Sequence, residues 1–368
     1  ETIHLRATRG SIAPAISAEE ARAAASEAEL LASEPLEVAT TGGSRTISPE
    51  ALRTWMQLTP APDGSVGVGL DAAKVAAGLR YAFSGIEGGP VDASFTVDDG
   101  VPVIRPDRPG RICCTSAATE TINTALHAGE RRVELELLED GPAWFTVLDA
   151  RAWGITQAVG GNHAWRDGAA TTAGPGFTTY HAATGARVTN IHRIADLVRG
   201  AVVPPGESFS INDYVGKRTL EKGFVFAGAI SNGEHVDEIG GGISQFATTT
   251  FNAAYFAGLD IDEYQAHSEY FDRYPRGREA TMGYPHPDLK FTNNTPYGIL
   301  IWTSYTNTSL TVTLYSTPYA TAEQTGITEG ASGRCAVVTT TRTRTFPDGR
   351  TENDKFRARY RPGPGQGC

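Results

Sequence analysis

The stretch best suited to chemistry is Gly240-Gly241-Gly242-Ile243-Ser244-Gln245. Three glycines ahead of a helix let another backbone approach closely. Ser244 falls at the start of a helix expected over 246–258. There the positive end of the helix dipole and nearby amides would stabilise a developing oxyanion. A strand-like run, 259–267, follows. A helix of about 14 residues climbs ~21 Å at ~1.5 Å per residue. A returning strand covers ~3.3 Å per residue, so about six or seven residues bring the chain back to the helix start. That count ends at Ala266 or His267. His267 is therefore a candidate general base for a Ser244 nucleophile, with Asp237, Glu238 or Glu279 to orient it. The same residues have a plain structural reading. Serine is a favoured N-cap, the glycines allow tight helix packing, and a lone histidine at a strand end is usually structural.

Other chemistries fit less well. His181, His192, His235 and His267 are scattered, without HExxH or an equivalent pattern, and no metal site is expected. No Lys follows the glycines, so a phosphate-binding P-loop is absent and no cofactor is expected. The net charge of −10 and the lack of a basic cluster argue against a nucleic-acid partner. No run of 18 apolar residues exists, which excludes a membrane-spanning helix within this chain. The 368 residues, 40% hydrophobic, are ample for a buried core and more than one domain. The start at Glu1, without Met, reads as part of something longer.

The elements that must position these residues suggest a multi-domain α+β chain. Residues 1–155 read as α/β. Two capping boxes, Ser17 with Glu20 and Thr146 with Asp149, each follow a strand-like stretch and a proline, which suggests two similar strand–helix units. The strand-like stretches are Ile3–Arg6 and Val133–Leu138. Ser48 with Pro49, Asp71 before Ala72–Phe83, and Ser116 before a helix ending at Gly129 mark further helices. Val91–Ile104 alternates like a strand. Residues 160–176 read as a linker. A helix is expected over 190–199, a three-stranded meander over 289–316, and a hairpin over 336–360 turning at Pro347-Asp348-Gly349.

The four cysteines, Cys113, Cys114, Cys335 and Cys368, show no metal spacing. An even number without metal spacing favours disulfides. Cys335 with Cys368 is the natural pair, since both lie in the C-terminal segment. Cys113 and Cys114 either form a vicinal bridge or stay reduced.

Residues 187–316 resemble the VanW family. The resemblance lies in Arg187-Val-Thr-Asn190-Ile191, Pro205-Gly-Glu-Ser-Phe-Ser210, Gly240-Gly-Gly-Ile-Ser-Gln245, Thr248-Thr249, Asn252-Ala-Ala254, His267-Ser268 and Arg278-Glu-Ala-Thr281. Residues 91–159 resemble a peptidoglycan-binding domain that precedes VanW domains, and 1–90 resemble part of a second such unit. Residues 335–368 are weakly similar to extracellular G5-type modules. The VanW-like domain is taken as 177–318. Many family members carry Cys where this chain has Ser244, and many carry Asp at Glu279.

The resemblance implies a protein on the extracellular side of the cell envelope, with peptidoglycan or its stem peptide as partner, and a Cys335–Cys368 disulfide. It implies a binding groove with Arg187, Asn190, Gly240, Gly241, Gly242 and Gln245 around Ser244 and His267. Arg and Asn are suited to hold a carboxylate or amide. The leading reading is a binding or scaffold protein. The alternatives are a peptidoglycan-modifying enzyme using Ser244 and His267, and a structural surface-assembly protein.

Overall fold

A computed structural model describes residues 16–63, 65–231, 234–363 and 366–368. The expected strand Ile3–Arg6 lies outside the described residues. The chain is mixed α+β and divides into two compact units, 1–92 with 107–144, and 93–106 with 145–368.

In the first unit, helices Ala18–Leu31, Pro49–Trp55, Ala72–Phe83 and Ala118–His127 surround a three-stranded sheet. Leu36–Thr40 is its central strand, antiparallel to Gly43–Ile47 and parallel to Arg132–Glu134. The helix starts follow local chemistry. Ser17 and Glu20 form the capping box, and Asp71 accepts from Ala73 and Lys74 N–H at 2.9 and 3.1 Å. Ser48 caps the helix that opens with Pro49. Ser116 does not cap its helix: the capping position is Ala117, without a side-chain bond. The core is apolar, built on Leu36, Leu52, Trp55, Val75, Leu79, Phe83 and Ile122. Cys113 and Cys114 are joined by a disulfide.

The expected second strand and the expected second capping box fall in different units. The Thr146 box forms, but its helix Val147–Ala152 belongs to the second unit, while the strand at Arg132–Glu134 completes the sheet of the first. The run 91–104 folds as a hairpin, Ser94–Asp98 with Val101–Arg105. Its turn is Asp99-Gly100, both at positive φ, the signature of a tight hairpin.

In the second unit, a seven-stranded sheet runs in the order 169–171, 162–166, 176–180, 309–316, 299–305, 201–203, with 157–159 also pairing to 309–316. The expected linker at 160–176 thus supplies two strands. Asp167 and Gly168, both at positive φ, turn 162–166 back onto 169–171. The meander is also corrected. Strand Lys290–Thr292 leaves the sheet and pairs with Ser208–Ser210 and Asp260–Glu263. The Asn293 amide sits at the break, donating to Val203, Pro204 and Tyr297 carbonyls.

Two helices pack on this sheet. Ala186–Val198 buries Ile191, Ile194, Ala195 and Val198, and Ser244–Phe256 is almost entirely buried. The C-terminal hairpin, Cys335–Thr345 with Thr351–Tyr360, gains a third strand, Thr321–Ser332. Phe356 of that sheet joins the unit's main core, and Cys335 is bonded to Cys368.

Candidate functional site

Ser244 is the first residue of its helix, as its spacing implied, but it is not the cap. The capping position is Ile243, with no side-chain bond. The Ser244 hydroxyl instead accepts from Met282 N–H at 3.1 Å and meets Thr281 Oγ1 at 3.3 Å.

The same face of the helix repeats this pattern every four residues, one turn apart. Thr248 Oγ1 accepts from Ala280 N–H at 3.1 Å and bonds the Ala280 carbonyl at 3.0 Å. Asn252 Nδ2 donates to the Arg278 carbonyl at 2.9 Å, and Arg278 donates back to Asn252 Oδ1 at 2.8 Å. Ser244, Thr248 and Asn252 are therefore three rungs that hold the segment 278–282 along the helix. Burial pushes the Arg278 guanidinium down to about 10, with Tyr255 opposing the shift.

Between the rungs, the segment's other side chains differ in direction. Glu279 is fully buried and its Oε2 lies 2.8 Å from His267 Nδ1. Of the three carboxylates considered for His267, Glu279 is the one in place, while Asp237 and Glu238 sit exposed on Glu234–Ile239. His267 is 8% exposed, stacked on Tyr274 with centroids 5.2 Å apart and edge-on to Phe271 at 5.5 Å. It lies beyond the short strand Asp260–Glu263, in an irregular segment rather than on the expected 259–267 strand. Thr281 N–H donates to the Gln265 carbonyl at 2.7 Å, tying this segment to 278–282. Burial and then the Glu279 charge raise the Tyr360 hydroxyl above its usual range.

The helix-and-return count therefore brings Ser244 and His267 to one segment, 279–282, but not into a bond. Each is held by a different residue of that segment.

The other expected residues divide in the same way. Asn190 lies four residues inside the helix that begins at Ala186, so it caps nothing. It is fully buried. Its Nδ2 donates to the Val225 and Gly241 carbonyls at 2.9 and 3.0 Å, and its Oδ1 accepts from Val225 N–H at 2.8 Å. The amide is saturated with main chain. It latches the glycine loop to the helix.

Gln245 is also fully buried and donates to Thr179 Oγ1 and the Tyr180 carbonyl at 3.1 and 2.9 Å. It lines no open groove. The glycines are needed for close approach. A Cβ on Gly241 would lie 2.0 Å from the Ala227 carbonyl oxygen, and Gly240 and Gly242 hold positive φ. A Cβ on Gly242 would meet Arg187, 2.9 Å from Nε. Arg187 is half-buried and has no carboxylate partner among the described residues. It is the expected binding residue whose polar group remains available.

The four-residue spacing Ser244, Thr248, Asn252 was present in the sequence. It was hidden because polar residues at that interval ordinarily mark a solvated helix face. Among the described residues no group of three His, Cys, Asp or Glu could hold a metal ion, and no helix is long and apolar enough to cross a membrane.

Over 139 residues the chain is 38% identical to "Uncharacterized protein YoaR" of Bacillus subtilis (strain 168), covering 38% of this chain and 46% of that relative. The chain thus spans less than half the length of the curated relative it matches. No solved structure matches it. Residues 186–315 match the VanW-like protein family, so the chain carries a VanW-like domain around the helices and the glycine loop just described.

Proposed function

We propose that this is a cell-envelope protein that binds peptidoglycan or its peptide stems, with the VanW-like domain as a binding scaffold rather than a catalyst. One observation carries the choice between binding and catalysis. The Ser244 hydroxyl is engaged by Met282 and Thr281, while His267 is bonded to Glu279. A nucleophile requires its base within hydrogen-bond reach. Peptidoglycan as the ligand rests on the family resemblance and on Arg187, a guanidinium beside Gly242 with no carboxylate partner among the described residues, which suits a stem-peptide carboxylate.

The enzyme reading retains one supporting feature, the 2.8 Å contact between His267 and Glu279, which has the form of a base and its orienting acid.

Purified intact sacculi, incubated with the protein and then digested for muropeptide analysis, separate the readings. Binding is expected to cosediment the protein and leave the muropeptide profile unchanged. Arg187→Gln is expected to lower the bound fraction severalfold, and Ser244→Ala to leave it near wild type. New muropeptides that vanish in Ser244→Ala would establish the enzyme instead.

A further inference from the structure

The last strand, Thr351–Tyr360, alternates strictly. Phe356, Ala358 and Tyr360 are buried, and Lys355, Arg357 and Arg359 are exposed on the opposite face. Arg361 continues the row. Residues two apart on a strand project from one face, about 6.6 Å apart. Directly opposite this row the neighbouring strands carry no acid, and Glu323 is the acid further along that face. Lys355, Arg357 and Arg359 pair with Thr341, Thr339 and Val337, and those in turn with Gly326, Thr328 and Gly330. None of the four cations has an ion pair among the described residues. Arg359 reaches only the Ser332 hydroxyl, at 3.5 Å. The expectation that the chain has no basic cluster is thereby corrected: the cations are spread over alternate positions of one strand, and no described acid pairs with them.

Charged side chains often guard an exposed strand edge against pairing. That explanation does not serve here, because segment 264–268 already covers the edge. Arg361 N–H donates to the Ser268 carbonyl, and Arg357 N–H to the Tyr264 hydroxyl, both at 2.7 Å. Between this segment and Arg357, Arg359 and Arg361 lies a cleft of about 470 Å³, which Cys368 also lines. The Cys335–Cys368 disulfide fixes the tail beside the same sheet.

We propose that this arginine-walled cleft binds a linear phosphodiester-linked polymer of the poly(glycerol phosphate) type, laid along the last strand. A planar guanidinium matches phosphate oxygens in pairs, and a regular row of single cations suits a polymer with one charge per short repeat. Stem peptides carry carboxylates singly and not in such a row. No residue of the glycine loop lines this cleft, and the proposal does not rest on the role proposed there.

The test is fluorescence anisotropy with labelled poly(glycerol phosphate), with oligothymidylate and poly-L-glutamate as the other probes. Three phosphate contacts predict a log–log salt slope of about −2, so affinity falls about 20-fold between 50 and 200 mM NaCl. Arg357→Gln/Arg359→Gln is expected to lose at least tenfold in affinity and to flatten the slope toward that of one contact. Lys74→Gln/Arg80→Gln, which removes the same charge from exposed positions of the first unit, is expected to bind as wild type. Weaker binding of poly-L-glutamate supports the phosphodiester. The proposal is overturned if poly(glycerol phosphate) shows no salt-dependent binding, if poly-L-glutamate binds equally well, if oligothymidylate binds more than tenfold tighter, or if the control pair loses as much as the cleft pair.

Discussion

The two units bury different kinds of side chain. In the first, the core residues from Leu31 to Leu135 are apolar, and polar groups stay at helix starts and turns. In the second, Asn190, Gln245, Thr248, Asn252, Arg278, Glu279, Asn293 and Arg342 are all buried, most of them bonded to main chain. Every buried polar or charged side chain among the described residues belongs to this second unit.

The physical consequence is a difference in what a substitution costs. Removing apolar volume costs transfer and cavity energy, which varies with how well the site relaxes. Removing one partner of a buried polar pair leaves the other unsatisfied, at a further cost. The first unit is therefore specified by packing. The second has an apolar core of its own and adds directional bonds, which fix irregular segments such as 278–282 that have no sheet or helix to hold them.

The largest effect that sharpens this contrast is expected at Arg342. It is 1% exposed, ion-paired with Asp354 at 2.7 Å, and donates to the Tyr255 carbonyl near the end of the Ser244–Phe256 helix. Arg342→Ala is expected to cost about 3–5 kcal/mol, through the lost packing of a fully buried side chain and the orphaned Tyr255 carbonyl, while Asp354, 27% exposed, keeps Arg344. Arg342→Met should lose less, because it keeps the packing against Tyr255 and Phe356. Denaturant unfolding gives the cost, and hydrogen exchange locates it. A cost under about 1 kcal/mol would show that these directional bonds do not hold the second unit.

The matching substitution in the first unit is Leu79→Ala, at a fully buried position. It is expected to cost about 3 kcal/mol by loss of volume alone. Leu79→Met, which conserves volume, should cost less than about 1.5 kcal/mol. Near-equal losses for the two would mean that this core is not governed by packing.

The contrast also explains what was legible in the sequence. Cap chemistry at Ser17, Ser48, Asp71 and Thr146 gave helix starts that the structure keeps, because capping is local. The pairing of Cys335 with Cys368 was readable from their shared segment. Strand Thr321–Ser332 was not readable, because both its faces are largely exposed and no apolar alternation marks it. The strands at 162–166 and 169–171 were masked by a Gly-, Ala- and Thr-rich composition that reads as a linker. At the site, the position of Ser244 on its helix and the Glu279 partner of His267 were within reach of spacing and residue type. The bonds of Asn190 and Gln245 were not, since they go to backbone atoms of distant segments, for which a sequence carries no side-chain signal.

A smaller effect is expected at Ser244 itself. As one rung of three, Ser244→Ala removes the bond to Met282 N–H at a partly exposed position. The loss should be about 1 kcal/mol, the ordinary net worth of one hydrogen bond. Thr248→Val acts at a fully buried rung and orphans both Ala280 groups, so it should cost more, about 1–3 kcal/mol. If Ser244→Ala proved costlier than Thr248→Val, the ladder would not be the source of its role.

The smallest effect is a pH dependence confined to the second unit. His163 is stacked on Phe256, with ring centroids 3.7 Å apart, and burial, followed by the nearby Arg278 charge, lowers its pKa below the ordinary histidine value of about 6.5. Below pH 6.5 the unfolded chain therefore binds this proton more readily than the folded chain does. Stability then rises with pH through the interval under 6.5 and falls as the pH drops through it. His192 shifts in the same direction, through burial and then His181, so two of the described histidines of the second unit behave this way. His127, the described histidine of the first unit, lies at the surface. Lowering the pH from 7.5 to 5.5 should therefore speed hydrogen exchange in the second unit more than in the first. His163→Phe should keep the stacking and remove part of that difference. If wild type and His163→Phe lose stability equally over this interval, His163 is not a source of the dependence, and the contrast between the units rests on bonding geometry alone.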